Sequence, residues 1–269
     1  MKATTQSSDL KKRAWSVIWA LPVFLFLILF SPQTLILVFF FLSLGSLREY
    51  GQLVYERGEW TPWLWFSLAS LVLLYLSLIN IDYKIILFSG YILFLVLIGW
   101  GLKKPEQIVE QVAFYLLGFL YCSLLPFFWV KMGIAYDRGS IILFALPVWT
   151  NDIFAYLVGR KWGKHKIVPR ISPGKSWEGL AGGIGMATLT GLILVTPPVS
   201  FSLFQGLLAG FSIALVSFLG DIWESVLKRR AGVKNSGNFL PGHGGILDRF
   251  DSFFLVGPLV YLLRLSWGG

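Results

Sequence analysis

The chain has 269 residues, 56% of them hydrophobic and only 14% charged, with a mean hydropathy of +0.70, against about 25% charged residues in an ordinary soluble domain. That balance excludes a water-soluble globular protein, and 12 Trp within a 17% aromatic content suit a chain solvated by lipid. The formal charge of +9, from 23 Lys+Arg against 14 Asp+Glu, calls for an anionic partner: lipid headgroups, a phosphorylated substrate or nucleic acid.

Nine apolar runs approach the length needed to cross about 30 Å of hydrocarbon. In order they are residues 14–30, 34–47, 63–80, 85–102, 112–130, 141–159, 179–196, 203–220 and 252–266. They predict an all-α polytopic membrane protein of about nine helices. Ser31-Pro32-Gln33 and Pro197-Pro198 punctuate the connectors. The first run follows Lys11-Lys12-Arg13, as a signal peptide would, but no small-residue cleavage site follows Phe30, so it reads as a retained helix. The single cysteine, Cys122, lies inside an apolar run and reads as packing.

With the N-terminus in the cytoplasm, 19 of the 23 Lys+Arg fall on the inner side, leaving Lys84, Lys131, Arg138 and Arg264 outside. This is the positive-inside pattern. The chain divides unequally. Residues 1–140 read as apolar helices with sparse polar connectors, whereas 141–269 carry two basic loops, 160–178 and 221–251, and acids set among apolar residues. Chemistry is expected in the second part.

Asp152 ends the sixth run, and Asp221 with Glu224 closes the eighth. Carboxylates at such depth are functional candidates, because they are costly unless paired, hydrated or bound to a cation. On a helix Asp221, Glu224, Ser225 and Lys228 share one face. In the loop that follows, Gly242, Gly244 and Gly245 permit positive φ and close backbone approach, and Asp248 with Asp251 can share a face as the ninth helix begins. Carboxylates suit a hard divalent ion such as Mg²⁺, and the neighbouring cations suit a polyphosphate.

The loop before the seventh run holds six cations in nineteen residues, an anion site. Its Gly174-Lys175-Ser176 looks like the end of a Walker A motif, but Pro169 stands where the first glycine is required, so it is not a P-loop. The two loops fall on the same side and can converge on one metal nucleotide, which favours phosphate and membrane lipid over nucleic acid as the anionic partner. Trp162 and Trp177 read as interface anchors, and Gly179 with Gly183 as a small-residue stripe for helix packing.

Ser225-Val226-Leu227-Lys228-Arg229, then Lys234, then Pro241-Gly242-His243-Gly244-Gly245-Ile246-Leu247-Asp248-Arg249-Phe250-Asp251 is similar to the signature of the phosphatidate cytidylyltransferases, or CDP-diacylglycerol synthases. Upstream, Asn151-Asp152, Ala155-Tyr156, Gly159-Arg160, Gly163-Lys164, Ile171-Ser172-Pro173, Lys175-Ser176 and Glu178-Gly179 resemble the same family's second stretch. The resemblance covers about 148–252. It implies transfer of CMP from CTP to phosphatidic acid with Mg²⁺, alone or beside a monovalent cation, in a bacterial inner membrane, and often by a homodimer.

Carried over by position, the resemblance implies that Asp221 and Asp248 hold Mg²⁺ with Glu224 and Asp251 in support. Lys228, Arg229, Lys234 and Arg249 would bind phosphates, with Arg160, Lys164, Ser172, Lys175, Ser176 and Ser225 completing the substrate site. His243 is either a phosphate or proton-handling group or a turn histidine. The family pattern has Lys-Asp where this chain has Lys234-Asn235, which keeps an oxygen acceptor and loses a charge. Competing expectations are a CTP-dependent lipid kinase, an isoprenoid-lipid cytidylyltransferase or, in another class, a transporter.

Overall fold

Lipid offers a peptide group no hydrogen-bond partner, so apolar runs that cross a bilayer must satisfy their backbone internally, as helices do. The computed structural model describes residues 21–54, 60–76, 108–237 and 244–267, with isolated positions 78, 89, 92, 95, 96 and 239. In chain order these form α1 (Leu21–Phe30), α2 (Pro32–Val54), α3 (Trp60–Leu76), α4 (Ile108–Ala135) and α5 (Arg138–Trp162). An antiparallel hairpin follows, β1 (Lys166–Val168) with β2 (Ser172–Ser176), and then α6 (Trp177–Thr190), α7 (Leu203–Arg230) and α8 (Leu247–Trp267).

Among the described residues six helices are long and apolar enough to span a membrane: α2, α4, α5, α6 with its 3-10 extension to Val195, α7 and α8. The architecture is thus the expected all-α polytopic one, while the count of nine is not reached among these residues. The first run is described only over Leu21–Phe30 and the third falls in the 17-residue α3, both short of a span, and the fourth lies almost wholly outside the described residues. Two helices outrun by the widest margin the apolar runs that mark them. The second run stops at 47 but α2 reaches Val54, and the eighth stops at 220 but α7 reaches Arg230. Those extra turns are polar and carry much of the site.

Local chemistry sets the ends. Asp137 caps α5 by accepting from the Ser140 amide at 3.3 Å, and Ser202 with Gln205 forms a capping box at α7. The Ser176 hydroxyl caps α6 from the end of β2, accepting from the Gly179 amide at 3.2 Å.

Small residues bring the C-terminal helices close, the usual basis of packing in lipid. A Cβ at Gly179 would stand 2.7 Å from the Ala155 carbonyl oxygen of α5, and one at Gly183 2.6 Å from Asn151 Oδ1. The expected packing stripe is therefore present. At the α7–α8 crossing a Cβ on Gly220 would meet the Asp251 carbonyl at 2.8 Å. Between α4 and α8, Trp129 stacks on Phe253 with centroids 4.0 Å apart and donates from Nε1 to the Phe253 carbonyl at 2.8 Å. Cys122 is buried among apolar residues. At the far end Arg264 donates to the carbonyls of Pro198 and Val199, each at 2.8 Å, and fixes the α6–α7 connection.

Candidate functional site

The C-terminal turns of α5 and α7, the first turns of α6 and α8, and the hairpin meet at one end of the bundle around a cavity of about 350 Å³. Its lining includes Asp152 from α5, Lys175 with Ser172 and Ser176 from the hairpin, Asp221 from α7, and Asp248, Arg249 and Asp251 from α8. The two basic loops converge as their shared side predicted.

Each carboxylate here has a definite setting. Asp221 forms an ion pair with Lys175, whose ammonium also lies 5.1 Å from the centre of the Phe218 ring. Asp251 lines the same cavity beside Asp221 and accepts from the Ser252 hydroxyl at 3.4 Å. Asp152 draws three helices together: its Oδ1 accepts from Asn151 Nδ2 and Ser217 Oγ, each at 3.2 Å, and its Oδ2 from Ser252 Oγ at 3.3 Å. The sequence marks Asp152 as an unusual acid, and the fold sets it in the cavity with Asp221.

A second cluster lies behind α8. Lys228 pairs with both Glu224 and Asp248, the latter at 2.8 Å, and the three side chains are only 13%, 3% and 8% exposed. The Glu224–Lys228 pair is therefore buried rather than solvated. Glu224 Oε1 has no hydrogen-bond partner, and Glu224 is not among the residues lining the cavity. Asp248 is fully engaged: besides Lys228 on Oδ1, its Oδ2 accepts from the amides of Ser236 at 2.9 Å and Gly245 at 2.8 Å, with the Ser236 hydroxyl at 3.0 Å.

Sequence reasoning missed Glu49. It sits in the last turns of α2, 6% exposed, and its carboxylate reaches the signature loop. Oε1 accepts from the Ile246 amide at 2.8 Å, and Oε2 from the Leu247 amide at 2.9 Å and the Ser236 hydroxyl at 2.8 Å. Ending the second run at residue 47 placed Glu49 in a connector. The available signal was Ser43, Ser46 and Glu49 at a three-residue spacing, one helical face, and all three are buried.

The other candidates scatter. Arg249 lines the cavity. The Arg229 guanidinium instead joins two loops, donating to the carbonyls of Ile171 at 3.0 Å and Val233 at 3.1 Å. Arg160 donates to the Tyr156 hydroxyl at 3.2 Å and is exposed, as are Lys164, Lys234 and Asn235. Ser225 is half-buried on α7 and is not part of the lining. His243 lies outside the described residues. Trp162 and Trp177 are exposed at the hairpin end of α5 and α6.

Among the described residues no three His, Cys, Asp or Glu side chains form a ready metal shell. Mg²⁺ does not require one, since it usually takes one or two carboxylates and completes its octahedron with water and phosphate oxygens. Asp221 and Asp251 supply adjacent hard oxygens, and no Lys or Arg among the described residues forms an ion pair with Asp251. The donor set fits the ion.

An all-α bundle with membrane-length helices, and with carboxylates and cations gathered at one end, defines an integral membrane protein built to handle a polyanion. The chain belongs to the cytidylyltransferase family, whose profile matches residues 11–267. It is 36% identical over 266 residues to the phosphatidate cytidylyltransferase of Staphylococcus haemolyticus, covering 96% of this chain and 100% of that protein. The Bacillus subtilis phosphatidate cytidylyltransferase is 32% identical over 266 residues, with 95% and 97% covered. That of Pseudomonas aeruginosa is 35% identical over 195 residues, with 67% and 72% covered.

Proposed function

We propose that this protein is a phosphatidate cytidylyltransferase that transfers CMP from CTP to phosphatidic acid, giving CDP-diacylglycerol and pyrophosphate. The observation that carries the reading is the convergence of both signature stretches on one cavity where Asp152, Lys175, Asp221, Arg249 and Asp251 meet. The lipid phosphate oxygen attacks the α-phosphorus of CTP, a P–O bond forms, and the bond to the departing pyrophosphate breaks. Both reactants are anions, so the protein's task is positioning and charge compensation rather than covalent chemistry.

Asp221 and Asp251 are the residues we assign to Mg²⁺. The chemistry the ion would supply there is compensation of the charge on the phosphates and on the departing pyrophosphate. Lys175, Arg249 and the hydroxyl of Ser172, all in the cavity lining, hold the phosphates. Asp248, its oxygens already taken by Lys228 and the loop amides, orders the loop instead of ligating. Glu224 keeps Lys228 in place in the same way.

The site end of the bundle faces the cytoplasm of a bacterial inner membrane in this reading, supported by the 19 of 23 Lys+Arg on that side and by the supply of CTP there. A homodimer, which the family resemblance implies, belongs to the same reading. Purified protein in mixed micelles with CTP, phosphatidic acid and titrated Mg²⁺ tests the proposal. Metal-dependent release of pyrophosphate with matching CDP-lipid supports it. A folded preparation that makes neither product overturns it in favour of another lipid phosphate or of transport.

A further inference from the structure

We propose that Glu49 is a positioning residue for this reaction: from α2 it caps the first turn of α8 and thereby sets Asp248, Arg249 and Asp251 at the cavity. The role rests on the cytidylyltransferase reading of that cavity.

The need arises at the start of α8. The first amides of a helix have no intrahelical acceptor, and Ser, Thr, Asp or Asn usually supplies one from the N-cap position. Here the residue before Leu247 is Ile246, which has no side-chain oxygen. Glu49 fills the gap from another helix, taking the Ile246 amide at 2.8 Å and the Leu247 amide at 2.9 Å. An ionised carboxylate is acceptor-only on both oxygens, and a negative charge at a helix N-terminus also meets the positive end of its dipole. The Ser236 hydroxyl lies 2.8 Å from Glu49 Oε2 and 3.0 Å from Asp248 Oδ2, and bridges the two acids.

The loop backbone is cleared for this contact. A Cβ on Gly237 would stand 2.6 Å from Glu49 Oε1, and one on Gly245 would collide with both Glu49 Oε2 and the Ser236 hydroxyl. On the α2 side, one turn before Glu49, a Cβ on Gly45 would collide with the Ile246 side chain. Two loop glycines thus make room for the carboxylate, and one on α2 for the Ile246 side chain beside it. Asp248, Arg249 and Asp251 all follow Leu247 within one turn, so fraying of that turn moves all three, although Glu49 is not among the residues lining their cavity.

Glu49→Gln tests the assignment, because an amide turns one N–H₂ toward backbone donors with little change of volume. In the full chain in mixed micelles, kcat for CDP-lipid formation should fall about ten-fold or more, the scale of one lost charge-assisted hydrogen bond, with KM for phosphatidic acid within about two-fold. Amide exchange at Ser236, Ile246 and Leu247 should quicken by a similar factor while the Gly179 amide of α6 stays protected. Should Glu49→Gln fail to give folded protein, Ser236→Ala, which removes only the bridging hydroxyl, carries the test with a smaller loss in kcat. Wild-type kcat in a folded Glu49→Gln protein, or exchange that quickens equally throughout the bundle, overturns the positioning role. If the native protein makes no CDP-lipid, the enzyme reading fails, and exchange at the three loop amides still decides whether Glu49 orders the turn.

Discussion

Asp248→Asn tests how the signature loop is held. In the native chain Oδ1 accepts from Lys228 at 2.8 Å, while Oδ2 accepts from the Ser236 and Gly245 amides at 2.9 and 2.8 Å. An asparagine has one acceptor oxygen where aspartate has two. Turned with its nitrogen toward the loop, it loses both backbone donors. Turned the other way, it faces a nitrogen toward the Lys228 ammonium, which then keeps Glu224 alone. Even in the second arrangement the two loop amides exchange an ionised acceptor for a neutral one, and a hydrogen bond to a charged group contributes about 1.5–3 kcal/mol against about 0.5–1.5 for a neutral one. The ordered loop should therefore lose about 10- to 100-fold in population relative to open forms. Amide exchange at Ser236 and Gly245 reads that change directly, and CDP-lipid formation in mixed micelles should fall in step. Native protection of both amides in the Asp248→Asn protein would refute the reasoning, whatever its activity.

Lys175→Met removes the partner of Asp221 and a cation from the cavity wall. Steady-state kinetics with CTP varied should show kcat/KM reduced about 100-fold, the scale for losing one preorganised charge-stabilising group, and Lys175→Arg should recover part of it. Gly179→Ala forces a Cβ to 2.7 Å from the Ala155 carbonyl oxygen, an overpacking that costs about 1–3 kcal/mol. Thermal unfolding in detergent should show a lower midpoint, whereas Gly185→Ala, with nothing within 4 Å of its Cβ, should leave the midpoint unchanged or slightly raised. Asn235→Asp restores the residue of the family pattern at an exposed position outside the cavity lining. Its activity should change by about two-fold or less at physiological salt, and a large gain would place residue 235 at the substrate.

Composition was enough to read the fold class, because a mean hydropathy of +0.70 admits few alternatives to membrane helices. The convergence of the two basic loops was legible too, since connectors on one side of a membrane can share a ligand. Helix ends were not. Apolar periodicity stops where lipid stops, whereas backbone hydrogen bonding continues, so α2 and α7 run several residues past their apolar runs and carry Glu49, Glu224 and Lys228 with them. The division of labour among the acids was equally hidden. Asp221, Asp248 and Asp251 look alike in sequence, and only tertiary partners distinguish a carboxylate saturated by loop amides from one facing another carboxylate. The spacing of Ser43, Ser46 and Glu49 marked a polar face on α2, but the role of Glu49 was hidden for the same reason: its partners are about 190 residues away in the chain.

Those partners explain why so many acids are tolerated at one end of a membrane bundle. Each buried charge must be matched, because unmatched charge in a low dielectric is the costliest arrangement available. Glu224 and Asp248 share Lys228, Asp221 has Lys175, Asp152 has Asn151 and two serines, and Glu49 has backbone amides and Ser236. Asp251 differs, since it stands beside Asp221 and takes its bonds from Ser252, the hydroxyl at 3.4 Å. Asp221, with its Lys175 partner, and Asp251 thus stand together on the cavity wall. In the proposed reaction that pair is where an incoming cation would do most to admit a second anion, which is why these two acids are the ones assigned to Mg²⁺. The same geometry explains the placing of Glu49 behind α8 and not in the cavity: an anion there orders the turn that presents Asp251 without competing for the cation.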